Sequence, residues 1–152
     1  MPGCAEIIAN RIAEEFGYKA PKPAPVPLPE RYNVISGQIM QAAYQVHTRL
    51  GPGLLESVYE ACMEEELITR GLRVRRQVPI AIKYANRTFK AAYRLDLLVE
   101  EKVIIEVKVH ERLMPVHKAQ LLTYMKLSGH RLGLLISFNT ALIKNGVERM
   151  VL

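Results

Sequence analysis

Residues 93–109, YRLDLLVEEKVIIEVKV, restrict what this chain can fold into more than any other stretch. Two strand-like apolar runs follow one another here, yet Asp96 stands in the first and Glu106 and Lys108 stand in the second. Side chains of a strand alternate between faces. Glu106 and Lys108 therefore share one face, and Ile105, Val107 and Val109 point the other way, into a core. A tight turn near 100–102 makes the two runs a hairpin. With a three-residue loop, Val99 pairs with Val103 and Asp96 falls opposite Glu106. The expectation is two carboxylates and an ammonium meeting at one point on the sheet. Adjacent carboxylates repel unless a cation sits between them. A hard divalent ion suits such oxygen-rich sites, completed by water and substrate phosphate. A nearby lysine can orient or deprotonate a water and steady the charge developing on phosphate. The same spacing equally fits a solvated sheet face with Lys108 in a cross-strand ion pair. Spacing alone leaves both readings open.

The rest of the chain places that hairpin in an α/β domain. Apolar residues Ile35, Ile39, Ala43, Val46 and Leu50 recur at helical spacing from Asn33. GPG at 51–53 breaks the pattern, and a second helix is expected from about Leu54 to Arg70, with Gly71 just beyond its end. Strands follow over 73–84, 88–99 and 103–109, separated by Ala85-Asn86 and by the 100–102 loop. Pro115 opens a third helix at a position where its missing N–H costs nothing. That helix ends at Gly129. A buried strand over 131–138 and an edge strand, VERMVL, complete the order α-α-β-β-β-α-β-β. This order predicts a mixed sheet of four to five strands flanked by helices.

Ahead of this lie residues 1–30. Residues 5–17 suit a short amphipathic helix, and PKPAPVPLP at 21–29 suits a stiff, extended linker. The domain proper is placed at 31–152. No apolar run approaches the roughly 18 residues of a membrane span, and no signal peptide is read at the start. A cytoplasmic protein is the expectation. Cys4 and Cys62 form no CxxC pattern, so neither zinc nor a disulfide framework is suggested, and Cys62 reads as a small buried hydrophobe. The net charge of +6 is uneven, since residues 1–30 carry −1 and the body +7. A basic body suits a polyanion such as nucleic acid.

Asp96 with Glu106-Val107-Lys108, preceded by helices and followed by one that carries Gln120, resembles the PD-(D/E)XK nuclease superfamily. More narrowly, Gly53-x-x-Glu56-x-x-Tyr59 resembles the signature of the GxxExxY proteins, one branch of that superfamily. The blocks RLDLLV, VIIEVK, PVHKAQLLTYMKLSG and RLGLLISFN follow in the matching order, so the resemblance spans roughly residues 33–151. It implies a restriction-endonuclease-like core and divalent-metal-dependent cleavage of phosphodiester bonds. DNA is the implied substrate, RNA less so, with Mg2+ or Mn2+ as the ion. Leu95 stands where the superfamily's motif has proline.

The resemblance implies roles residue by residue. Asp96 and Glu106 would be metal ligands, Val107 would lend its backbone carbonyl, and Lys108 would position the attacking water. Glu56 would add a third carboxylate, to the metal directly or through a water. Gln120 would reach the same mouth, with His117 and Tyr124 on its helix face and Tyr59 one turn beyond Glu56. Each has a plainer reading: Glu56 as a first-turn carboxylate, Tyr59 as half-buried packing, Gln120 as a strand-end partner, and His117 as structural. His47, His110 and His130 occur singly and read as structural or surface residues. Arg70, Arg73, Arg75 and Arg76 either contact phosphates or solvate an edge strand. A homodimer is implied by analogy with nucleases that cut two strands. Two further functions stay open: a non-catalytic nucleic-acid or protein interaction module that keeps the nuclease fold, and metal-dependent hydrolysis of a small phosphate compound.

Overall fold

The computed structural model describes residues 26–152. The helix expected over 5–17, and the proline run up to 25, lie outside the described residues. Three helices and five strands follow in the expected order: α1 (Glu30–Leu50), α2 (Glu56–Thr69), β1 (Val74–Tyr84), β2 (Arg87–Val99), β3 (Val103–Lys108), α3 (Pro115–Ser128), β4 (Leu132–Ser137) and, after a 3-10 turn at Ile143–Gly146, β5 (Val147–Val151). The strands form one sheet in the order β1-β2-β3-β4-β5. Only the β3–β4 pairing is parallel. A parallel pair needs a crossover, and α3 supplies it. The fold is thus an α/β mixed sheet flanked by helices, with a restriction-endonuclease-like core.

Helices cover both sheet faces. Ile35, Ile39 and Val46 of α1 and Tyr59, Met63 and Leu67 of α2 pack on Leu97, Ile105, Val107 and Ile136. Leu121, Tyr124 and Met125 of α3 pack on Ile80, Leu95, Leu98, Ile104 and Leu135 on the opposite face. Gly133 lets α3 come close, because a Cβ there would stand 2.8 Å from the Sδ of Met125 and 2.9 Å from the Cδ1 of Leu121. The end of α2 is set by Gly71, whose φ of 82° is left-handed. Gly71 N–H bonds to Ile68 and Leu72 N–H to Leu67, which satisfies the last carbonyls of the helix. Among the described residues no helix is long and apolar enough to cross a membrane.

The boundary expected at residue 31 falls inside α1, which begins at Glu30. Tyr32 N–H bonds to the Pro29 carbonyl, Arg131 donates to the Val26 carbonyl, and Leu28 packs on the core. Removal of residues 1–25 keeps these contacts, and removal of residues 1–30 deletes them. Removal of 1–30 is expected to lower stability by about 1–2 kcal/mol through loss of the Leu28 contact. Equal melting curves for the two truncations would show that the segment from Val26 adds nothing.

Candidate active site

The hairpin loop fixes the site. Glu100 and Glu101 both take positive φ, 53° each, and Lys102 N–H bonds to Val99, so the turn closes after three residues. Arg73 holds Glu100 in place: its backbone N–H and its guanidinium both donate to the carboxylate, at 2.7 and 3.0 Å. Those bonds keep the Glu100 carboxyl below its usual pKa. Val99 then pairs with Val103, Leu98 with Ile104 and Leu97 with Ile105. Continued one step, this register sets Asp96 opposite Glu106.

At that step the two strands stop bonding through their backbones. Val107 N–H donates to Asp96 Oδ2 at 2.8 Å, and Asp96 N–H donates to Glu106 Oε1 at 3.3 Å. The carboxylates occupy the places of ladder carbonyls. The strand also turns over here. Leu97 packs under α1 and α2, but Leu95, two residues away, packs under α3. On β1 the neighbouring Gln77 has a φ of 54°, outside the ordinary strand region. Such backbone outliers occur where surrounding structure over-determines them, often at functional sites.

Burial dominates the electrostatics. Glu106 is only 3% exposed, because α3 covers the face that its charge would otherwise leave to solvent. Its pKa is pushed up to about 9, first by burial and then by the Asp96 charge. The Asp96 carboxyl rises to about 6, by burial first, offset in part by the Val107 N–H and raised further by the charges of Glu60 and Glu56. A metal would have to displace these protons. The donor set fits a hard cation: two adjacent carboxyl groups and one backbone carbonyl. In a strand, successive residues direct their backbone groups to opposite neighbours. Lys108 C=O accepts from Phe138 N–H on the β4 side. Val107 C=O therefore faces β2, where the ladder has ended. Among the described residues no third His, Cys, Asp or Glu closes a cluster of metal-ligand type with this pair. Glu56, the first residue of α2, stands near enough for its charge to act on Asp96.

The three charges do not meet at a single point, as the spacing had suggested. Lys108 forms no ion pair with either carboxylate among the described residues. Its Nζ donates instead to Gln120 Oε1 at 3.1 Å, and Gln120 Nε2 donates to the Tyr124 hydroxyl at 2.7 Å. Gln120 and Tyr124 thus form one hydrogen-bonded chain with Lys108. His117 lies apart from it. Its Nδ1 accepts from Met114 N–H at 3.0 Å at the start of α3, and its ring stacks on His110 at 4.5 Å. Burial and the charges of His110 and Lys108 lower its pKa. His47 is tied across the fold to the Thr140 carbonyl, and His130 locally to the Ser128 hydroxyl.

Tyr59 is fully buried rather than half-buried, stacked on Phe138 at 4.5 Å. Its hydroxyl donates to the Gly51 carbonyl and accepts from Leu54 N–H at 3.2 Å. It clamps the GPG turn that leads to Glu56. Tyr59→Phe is expected to cost about 1–3 kcal/mol, the typical penalty for leaving buried partners unpaired. A urea midpoint equal to wild type would refute the clamp.

One feature was missed in the sequence. Glu60 is 4% exposed and accepts from Arg76 Nε at 2.8 Å and Gln77 Nε2 at 2.7 Å. It braces the irregular β1 residues beside Asp96. Its position four residues after Glu56 was the available signal. The arginine cluster was visible in the sequence, with phosphate contact and solvation of an edge strand both open. Arg70, Arg73, Arg75 and Arg76 pair with Glu66, Glu100, Glu101 and Glu60, so each is engaged by a carboxylate of its own fold.

No curated protein sequence matches the chain. Among solved structures, a chain described as "Crystal structure of SSO0001" is similar, with a TM-score of 0.49 and 16% identity, over 99% of this chain and 78% of that one. A family model described as PD-(D/E)XK nuclease superfamily matches residues 33–150, a span that holds Asp96, Glu106, Lys108 and Gln120. The chain belongs to the PD-(D/E)XK nuclease superfamily.

Proposed function

We propose that this protein is a divalent-metal-dependent nuclease of the GxxExxY branch, cleaving phosphodiester bonds of DNA with Mg2+, or with Mn2+ in its place. The observation that carries this reading is the break in the β2–β3 ladder, where Asp96 and Glu106 stand opposite each other and each accepts a backbone N–H of the other strand. Nucleases of this superfamily generally use divalent metals. When bound, such an ion supplies Lewis-acid polarisation of a phosphoryl oxygen.

The chain's own residues do the remaining work. Asp96 and Glu106 release their protons and present anionic oxygens, with Val107 C=O as a neutral third donor. Gln120 holds the Lys108 ammonium, and Tyr124 holds Gln120. Lys108 is thereby positioned to orient the attacking water and to stabilise charge on the phosphate. The water oxygen attacks phosphorus in line, and the opposite P–O ester bond breaks. Glu56 acts through a water, since it stands outside the direct pair.

The test is cleavage of plasmid DNA, and of RNA of matching sequence, with Mg2+, Mn2+ or EDTA, for wild type and Asp96→Asn. Metal-dependent DNA cleavage that Asp96→Asn removes supports the reading. Binding without cleavage under any metal would instead make the chain a non-catalytic interaction module.

A further inference from the structure

Strands β1 and β2 run past the domain body as a two-stranded arm. Every residue from Lys83 to Arg94 is exposed. From the Ile80–Tyr93 pair to the Ala85-Asn86 tip, the arm extends about 15 Å at ordinary strand rise. Its composition is one-sided. No Asp or Glu lies between Glu66 and Asp96, and the arm carries Lys83, Arg87, Lys90 and Arg94. Unlike the arginines at the base of β1, these four form no ion pair among the described residues.

Three large aromatics are interleaved with them: Tyr84, Phe89 and Tyr93, at 75%, 42% and 46% exposure. Cross-strand partners share a sheet face. The pairs Ile80–Tyr93, Ile82–Phe89 and Tyr84–Arg87 put all three aromatics and Arg87 on one face, and the pairs Lys83–Thr88 and Pro79–Arg94 put Lys83 and Arg94 on the other. Arg87 lies over the Phe89 ring at 5.1 Å. That face leads to the site. The Tyr93 ring lies 5.4 Å from the Tyr124 ring, and Tyr124 bonds to Gln120, which holds Lys108. Tyr93, Gln120 and Tyr124 also line a groove of about 370 Å³ along α3.

An isolated two-stranded ribbon is marginally stable. Exposed aromatics on such an edge invite aggregation unless they have a partner. Unpaired cations select a polyanion, and exposed rings select flat apolar groups. A protein partner of acidic character would satisfy the charges but gives no reason for a row of rings. We propose that the 82–94 arm is a platform for an unpaired strand of nucleic acid, with Tyr84, Phe89 and Tyr93 under its bases, Arg87 beside them on a phosphate, and Lys83, Lys90 and Arg94 adding positive charge from the other face of the ribbon. It rests on the nuclease reading only for where the scissile phosphate sits; the binding itself does not need catalysis.

The experiment measures fluorescence anisotropy of a labelled single-stranded oligonucleotide of about 20 nucleotides, longer than the usual single-site sizes, against the duplex of the same sequence. The full chain is used as wild type, as Lys83→Ala/Arg87→Ala/Lys90→Ala, and as Tyr84→Ala/Phe89→Ala. The triple variant should lower the slope of log affinity against log salt by at least roughly 0.7, the contribution of the one single-strand phosphate on Arg87. The aromatic variant should weaken single-strand binding tenfold or more and weaken duplex binding less. Melting curves equal to wild type for the arm variants exclude a folding defect, because the altered side chains are exposed.

Wild-type affinity and salt slope in both arm variants would overturn the proposal. So would equal losses for duplex and single strand in the aromatic variant. A change in sedimentation mass with unchanged oligonucleotide binding would make the arm a contact between copies of this chain, and also overturns it. If wild type binds the single strand through the arm but no metal supports cleavage, the nuclease reading fails and the arm stands.

Discussion

Asp96→Asn and Glu106→Gln are each expected to remove divalent-ion binding and DNA cleavage together, because each deletes one anionic oxygen of a two-carboxylate site. Lys108→Ala should separate the two properties. Its ammonium bonds to Gln120, and its charge lowers the pKa of both carboxyls. Its removal should leave ion affinity nearly intact, while cleavage falls by roughly 10²–10³, the usual effect of losing one transition-state donor. Gln120→Ala should give a smaller loss of the same kind, since it frees the amine without deleting it. Calorimetric Mn2+ titration together with single-turnover cleavage checks this order. If Lys108→Ala instead unfolds the domain and wild type takes up no metal, the charges are structural, and the nuclease reading loses its main physical support.

The metal-free protein should lose stability as pH rises, opposite to the usual behaviour of paired carboxylates. Both carboxyls have folded pKa values above their ordinary ones, about 6 for Asp96 and about 9 for Glu106. The stabilisation from their bound protons is fully present below the ordinary carboxylate range. It is lost as pH rises through those folded values. For buried Glu106 the loss between pH 4.5 and 7 is on the order of 3 kcal/mol, at about 1.4 kcal/mol per unit. Saturating Mg2+ should reverse the trend, because the ion binds only the ionised pair and is released by competing protons. Glu106→Gln should flatten the metal-free profile, as its amide stays neutral throughout. Melting temperatures across pH 5–9, with EDTA and with Mg2+, are the measurement. A flat wild-type profile under EDTA would mean that Glu106 is ionised in the fold and solvated more fully than its burial indicates.

The opposition of Asp96 and Glu106 was legible in the sequence because a hairpin is local. Loop length sets the register, and the two-residue period sets the face. The element order was legible for a similar reason. Helical and strand periodicities are strong here, and GPG, Gly71, Pro115 and Gly129 punctuate them. What the sequence left open depends on how distant elements approach. Its charges marked the face of Glu106 as polar, and only the docking of α3 over that face buries the residue and raises its pKa. Lys108 stood beside two carboxylates in the sequence pattern, but α3 brings Gln120 within bonding distance and takes the ammonium. The four arginines before and within β1 fitted either phosphate contact or solvation of an edge strand, and the fold returned a glutamate to each. Tyr84 and Phe89 continue the alternation of Val78, Ile80 and Ile82, so periodicity could not show where the core stops. The sheet extends past α3 at that point, and the same pattern that packs a core beneath the helix becomes an exposed arm beyond it. Register and period are short-range properties of backbone geometry; burial, pairing and exposure are set by which surfaces the helices cover.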